Sequence, residues 1–320
     1  MISENTKRVG FILISLIVAF LLIEGLLRLG SWGFYYLQDE QNKKIISLNR
    51  TELVVLCIGE STTGMGGKNS WPSQLQRILN NTQDQMTFHI INKGLPGTDT
   101  NEILKQLPFY IMKYKPAIVL AMVGINDGYE GRTGVLNYDI FYPSKSLINN
   151  SSSRQSLFVI LLNHSRVYGL FHWMTDGIKY LTKQKNDVKT KIHLAEKLIN
   201  ERESFDYGLR NPNTTHLLPR TILNLNNMAN LTTAKNIKFI FVQYALRRVD
   251  ILKNSVKGNA LYISNYEIFH DLQKKYNYDD LFIDKFANNF GHATPFGNRI
   301  IADNVARQLK KILRFQNQTH

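Results

Sequence analysis

Cysteine is nearly absent: the 320 residues contain one, Cys57. A disulfide framework and a cysteine-ligated metal site are therefore both excluded. Acidic residues are scarce beside basic ones, 25 Asp and Glu against 39 Lys and Arg, giving a formal net charge of +14. Yet no long Lys/Arg block and no nucleic-acid motif occurs, so the excess is spread thinly and nucleic acid is not an expected partner. A diffuse positive surface suits anionic polysaccharide, anionic lipid headgroups or a cell envelope, and equally suits plain solvation. His89, His164, His172, His193, His216, His270 and His320 show no metal-ligand spacing,. Internal repeats are lacking too. Asn-x-Ser/Thr triplets such as Asn49-Arg50-Thr51 arise by chance in a chain this rich in Asn and carry no secretory meaning.

What is present begins at the N-terminus. Residues 1–8 are polar and end in Lys7-Arg8, and residues 9–23 carry no charge. The apolar character continues through Leu29 around Glu24 and Arg28, which stand four apart and can pair on one helix face. Trp32, Phe34, Tyr35 and Tyr36 follow, as in an aromatic belt. Residues 9–31 are expected to be a single membrane anchor, with residues 1–8 cytoplasmic and the remainder extracytoplasmic. A cleaved signal peptide is the rival, but no small-x-small site follows the long apolar core. Residues 32–50 are expected to form a tether, polar from residue 38.

Hydrophobic residues make up 43% of the chain, so most of it should fold. Residues 53–58, Leu-Val-Val-Leu-Cys-Ile, are continuously apolar and mostly branched, as in a strand buried on both faces. Gly59, Glu60 and Ser61 come next. A buried strand ending at a glycine puts the following side chain at the carboxyl edge of a sheet, where open α/β sheets bind ligands. Ser61 is thus presented as a nucleophile, though a serine here can equally cap a helix. A helix is expected over 71–79, a strand over 87–91, a glycine turn over 92–98, a helix over 101–114 stopped by Pro116, and a strand over 117–123. Strand–helix–strand–helix–strand with glycine-bearing strand ends predicts a parallel sheet with helices on both faces. Residues 128–220 read as an insertion over the carboxyl edge, helical at 155–162 and aromatic-rich at 167–181. Beyond it come a helix at 220–236, a fourth strand at 237–242, a helix at 262–275, a short fifth strand at 280–284 and a last helix at 296–313.

Four blocks stand in order at strand ends: Gly59-Glu60-Ser61, Asn92-Lys93-Gly94-Leu95-Pro96-Gly97, Gly124-Ile125-Asn126-Asp127 and His292-Ala293-Thr294-Pro295-Phe296-Gly297. Together they resemble the SGNH, or GDSL-like, hydrolase superfamily. The likeness covers residues 53–313 apart from the insertion. It implies a three-layer α/β/α fold with a central parallel sheet of about five strands, flavodoxin-like, which here would follow the single transmembrane helix read from residues 9–31. The hydrolase domain would span 51–315.

The resemblance assigns Ser61 as nucleophile, Gly97 and Asn126 as oxyanion-hole donors and His292 as base; Glu60 replaces the family's usual aspartate. A serine hydroxyl needs such a base to become nucleophilic, and His titrates near neutrality. Asp127 reads as a structural partner in the Asn126 turn. The family's acid normally stands three residues before the histidine, where this chain has Asn289. Asp284, after the apolar Leu-Phe-Ile, is the better candidate, at the cost of a five-residue insertion between acid and base. A His–Ser dyad without an acid is the third arrangement. The expected activity is hydrolysis of acyl esters, O-acetyl or lipid, through an acyl-serine intermediate and without cofactor or metal. The substrate would be a small-molecule, lipid or polysaccharide ester. The alternatives are an acyltransferase on envelope polysaccharide using the same site, and a non-catalytic glycan-binding protein on a decayed hydrolase fold.

Overall fold

The structure is a computed structural model that describes residues 4–43, 51–81, 86–127, 217–258, 260–285 and 291–317. Residues 128–216, most of the expected insertion, lie outside the described residues. So do the helix expected at 155–162 and the aromatic-rich stretch at 167–181. The chain divides into two compact units, residues 1–37 with 132–196 and residues 38–131 with 197–320.

Helix α1 (Glu4–Lys43) is the one helix among the described residues long and apolar enough to cross a membrane. Its apolar side chains from Val9 to Leu29 are largely exposed, and Arg28 pairs with Glu24 at 2.7 Å, the i,i+4 spacing read from the sequence. The helix does not stop at residue 31. It runs through the first part of the expected tether to Lys43.

The second unit is built on five parallel strands, β1 (Thr51–Gly59), β2 (Met86–Gly94), β3 (Ile118–Met122), β4 (Lys238–Val242) and β5 (Leu261–Ile263), in the order β2-β1-β3-β4-β5. Val55 to Ile58 of β1 and all of β3 are buried, which is why both read as unbroken apolar runs,. After β1 comes the short α2 (Ser61–Gly64), then α3 (Trp71–Asn80), α4 (Thr100–Tyr114), α5 (Pro219–Thr233), α6 (Asp250–Ser255), α7 (Tyr266–Leu272), α8 (Tyr278–Leu281) and α9 (Pro295–Asn317). Helix α3 packs with α9 and α4 with α5, so the sheet is the middle of three layers. The chain leaves β1 toward β2 on one side and returns to β3 on the other. The carboxyl end of β1 is therefore the topological switch point, where such sheets open a crevice.

The fifth strand is not at 280–284. Asn277 and Asp280 form a capping box, with the Asn277 N–H donating to Asp280 Oδ2 at 2.9 Å, and this nucleates α8 instead,. The real β5 lies at the start of the segment expected as helix 262–275.

Among the described residues, the outer edge of β2 is closed by side-chain amides rather than by another strand. Asn80 of α3 accepts from the Phe88 N–H and donates to its carbonyl, both at 2.8 Å. Gln76 accepts from the Ile90 N–H at 2.8 Å. Asn42 of α1 accepts from the Asn92 N–H at 2.8 Å and donates to its carbonyl at 3.0 Å. Gln38 donates to the Gly94 carbonyl at 2.9 Å. Four alternate residues of an edge strand thus find partners without offering a template for another chain.

Candidate active site

Ser61 is the first residue of α2, directly after the end of β1. The Thr63 and Gly64 N–H groups both bond back to the Glu60 carbonyl, at 3.0 and 2.9 Å, so the turn is tight. It fits only because glycines line it: a Cβ on Gly64 or Gly94 would collide with the backbone of the other,. Asn92 ties the same turn to β2, donating to the Thr63 carbonyl at 3.0 Å and accepting from the Gly94 N–H at 2.9 Å.

The expected acid and base, Asp284 and His292, stand on two segments joined by an antiparallel bridge. Phe282 and Ala293 form an antiparallel bridge, with the Ile283 N–H on the His292 carbonyl at 2.8 Å and the Thr294 N–H on the Leu281 carbonyl at 2.9 Å. The bridge brings Asp284 opposite His292. The His292 backbone N–H donates to Asp284 Oδ1 at 2.7 Å, and its ring Nδ1 lies 2.7 Å from Asp284 Oδ2. On the other side of the ring, Nε2 lies 2.8 Å from Ser61 Oγ. With the carboxylate accepting from Nδ1–H, Nε2 is left as acceptor and the Ser61 hydroxyl donates to it. Tyr278 donates to the Asp284 carbonyl at 3.1 Å; burial, then the Asp284 charge, push its phenol up to about 12.

The two expected oxyanion donors stand on adjoining loops. Gly97 is exposed in the turn after β2 with φ 78°, a left-handed conformation that favours glycine,. The Asn126 amide donates to the Thr98 carbonyl at 2.9 Å, which fixes the plane of that amide beside the Gly97 turn. Asp127 accepts from the Thr100 N–H at 2.9 Å and from the Thr221 hydroxyl at 2.6 Å, joining the end of β3 to the starts of α4 and α5. Asn289, the alternative acid, lies outside the described residues, and the Nδ1 side of His292 faces Asp284.

Two residues of the site went unread in the sequence. Glu60 was legible only as a departure from the family's aspartate. It is fully buried, accepts from the Gly124 N–H at 2.9 Å and lies 2.9 Å from the Tyr244 hydroxyl. Tyr244 follows β4 with no local pattern to mark it; the only available signal was its place just past a strand end.

No protein-family description matches the chain, and no curated protein matches it. Solved structures resemble it at low identity. An acetylxylan esterase from Geobacillus stearothermophilus aligns at 13% identity and TM-score 0.44, over 81% of this chain and 94% of that one. A protein assigned to the G-D-S-L lipolytic family from Desulfitobacterium hafniense aligns at 13% identity and TM-score 0.40, over 79% and 98%. A two-domain esterase active on acetylated mannans aligns at 9% identity and TM-score 0.46, and this chain spans 52% of its length.

Proposed function

We propose that the chain is a membrane-anchored, extracytoplasmic serine esterase that cleaves acyl esters through an acyl-Ser61 intermediate. The observation that carries this reading is the unbroken hydrogen-bonded line from Ser61 Oγ through His292 to Asp284, at 2.8 and 2.7 Å, at the switch point of the sheet. Ser61 Oγ attacks the ester carbonyl carbon as its proton passes to His292 Nε2. Asp284 holds the ring tautomer and stabilises the imidazolium. The Ser61 and Gly97 N–H groups and the Asn126 amide face the charge that develops on the carbonyl oxygen. Collapse expels the alcohol, which takes the proton from His292. Water then attacks the acyl-enzyme with His292 again as base, and the acid is released.

An intact Ser–His–Asp line favours catalysis over a decayed binding site. The apolar stretch of α1 and the Lys7-Arg8 flank support anchoring with the domain outside. An O-acetyl or lipid ester is the substrate class that the sequence resemblance supports. The test is covalent labelling. A serine-reactive fluorophosphonate should label the full-length protein, p-nitrophenyl acetate should give burst release, and Ser61→Ala should abolish both. Unchanged turnover in a folded Ser61→Ala protein overturns the reading.

A further inference from the structure

Glu60 is buried one residue before Ser61, and no step above uses its carboxyl group. Its oxygens face different partners. Oε1 accepts from the Gly124 N–H at 2.9 Å, and the Asn126 N–H also bonds to the carboxyl group. Oε2 lies 2.9 Å from the Tyr244 hydroxyl. That hydroxyl also lies 3.1 Å from the Met122 carbonyl, and it receives the Ile125 N–H. A phenol has one proton and a carbonyl can only accept. With Glu60 ionised, the carboxylate and the Met122 carbonyl compete for that single proton, and one oxygen–oxygen contact stays unbonded in a buried site. With a proton on Oε2, Glu60 donates to Tyr244 and Tyr244 donates to Met122, so every contact is a bond.

The neighbouring charge favours the same assignment. Asp127, on the turn that also carries Gly124, accepts from Thr100 and Thr221. Burial and then the Asp127 charge raise the Glu60 carboxyl from 4.5 to about 8, outweighing the bonds from Gly124, Tyr244 and Asn126 that lower it. Burial, then Glu60, raises the Tyr244 phenol well above its usual range, so it keeps its proton.

We infer that Glu60 is a positioning residue that works as a neutral carboxylic acid, pinning the Ser61 turn to the Gly124–Asn126 turn directly and to the ends of β4 and β3 through the relay Glu60–Tyr244–Met122. Only its kinetic consequence rests on the esterase reading. Loss of the Glu60 proton sets a second charge beside Asp127, the titratable group facing it from the β3 turn. It also takes the Tyr244 proton, from the β4 end, away from Met122. The Asn126 turn then loses its register with Ser61, and turnover falls on the alkaline side.

Glu60→Gln tests this, because the amide reproduces the bonds to Gly124 and Tyr244 but cannot ionise. In the parent, kcat on p-nitrophenyl acetate should fall above about pH 8, and in Glu60→Gln that fall should move up by at least about one pH unit. Glu60→Ala should lower kcat by about 10²-fold at every pH, the loss expected when an oxyanion donor is displaced. A folded Glu60→Gln enzyme that keeps the parental alkaline limb overturns the inference. A second measurement does not need activity: the difference infrared spectrum of full-length protein carrying 13C-labelled Glu, parent minus Glu60→Gln. A protonated carboxyl band at about pH 7 that is gone by about pH 10 supports the neutral acid. A carboxylate band at about pH 7 overturns it, and either result stands even if Ser61 proves inert.

Discussion

At the scale of single residues, the acid and the buried carboxyl make opposite demands. In the proposed triad Asp284 has to be charged to hold the imidazolium, and it accepts two bonds from one histidine, at ring and backbone. Asp284→Asn should therefore cut kcat by several orders of magnitude, up to about 10⁴-fold by analogy with other triads. KM should hardly change, because the charge matters chiefly in the transition state. Steady-state kinetics on a variant whose thermal unfolding matches the parent's checks this, and near-parental kcat would remove Asp284 from the triad. Glu60 must instead stay neutral, and that has a price in stability. Its folded value of about 8 lies above the unfolded 4.5, so between those limits the folded chain keeps a proton that the unfolded chain has lost. Stability from this group is fully present below about pH 4.5 and declines as pH rises toward about 8. Relative to Glu60→Gln, the parent should lose on the order of a few kcal/mol of unfolding free energy between about pH 5 and 8. Paired urea titrations at the two pH values would show a difference independent of pH if Glu60 were an ordinary carboxylate.

At the scale of elements, the acid–base bridge decides whether His292 meets Ser61. Among the described residues its tightest point is Gly291, where a Cβ would collide with the Asp284 carbonyl and the Tyr278 hydroxyl. Gly291→Ala should cost about 1–3 kcal/mol through forced displacement of the 284–292 pairing. The rate of fluorophosphonate labelling should fall with it, even at temperatures where the variant is folded. Parental labelling would mean that the bridge absorbs the methyl group without moving His292. This element also marks where sequence reasoning reached its limit. Buried strands such as β1 and β3 are legible because burial on both faces writes a continuous apolar run. The Leu281-Phe282-Ile283 run is just as apolar, yet it forms one bridge to Ala293 rather than a sheet strand. The capping box at Asn277 and Asp280 turns the preceding residues into α8, and β5, only three residues long, leaves too short a pattern to be seen beside the helix that follows it. Ser61, Gly97 and Asn126 could be picked out because each follows a strand in a turn with distinctive neighbours, and His292 because its block leads into the last helix. Tyr244 follows a strand without any, and Glu60 shows its role only through partners 64 and 184 residues away.

At the scale of the whole molecule, the question is where the folding unit that carries the site begins. The polar stretch after the apolar helix invites reading as a tether, since Gln38, Asp39, Gln41 and Asn42 carry no apolar periodicity. In the structure Gln38 and Asn42 are buried against β2, and Asp39 pairs with the buried Lys93, whose ammonium is pushed down by burial and held up by that partner. Edge closure by side-chain amides leaves no hydrophobic trace, which is why the sequence hides it. The bonded residues are also those of the second motif: Asn92, Lys93 and Gly94 receive the end of α1 on one side and hold the Ser61 turn on the other. A chain starting at residue 38 should therefore keep the site, whereas one starting at residue 44 should not. The shorter chain leaves the Asn92 N–H, the Asn92 carbonyl and the Gly94 carbonyl without partners and strands the Lys93 charge; each unsatisfied group costs about 1–3 kcal/mol where water cannot replace the lost partner. Against total stabilities of about 5–15 kcal/mol, losses of that size should lower Tm sharply and expose β2 as an aggregating edge. Asn42→Ala alone should reproduce about 1–3 kcal/mol of the loss in the longer chain. Thermal unfolding and size-exclusion profiles of the two truncations decide the matter. Equal Tm and equal labelling of Ser61 in both would show that the end of α1 is dispensable to the site.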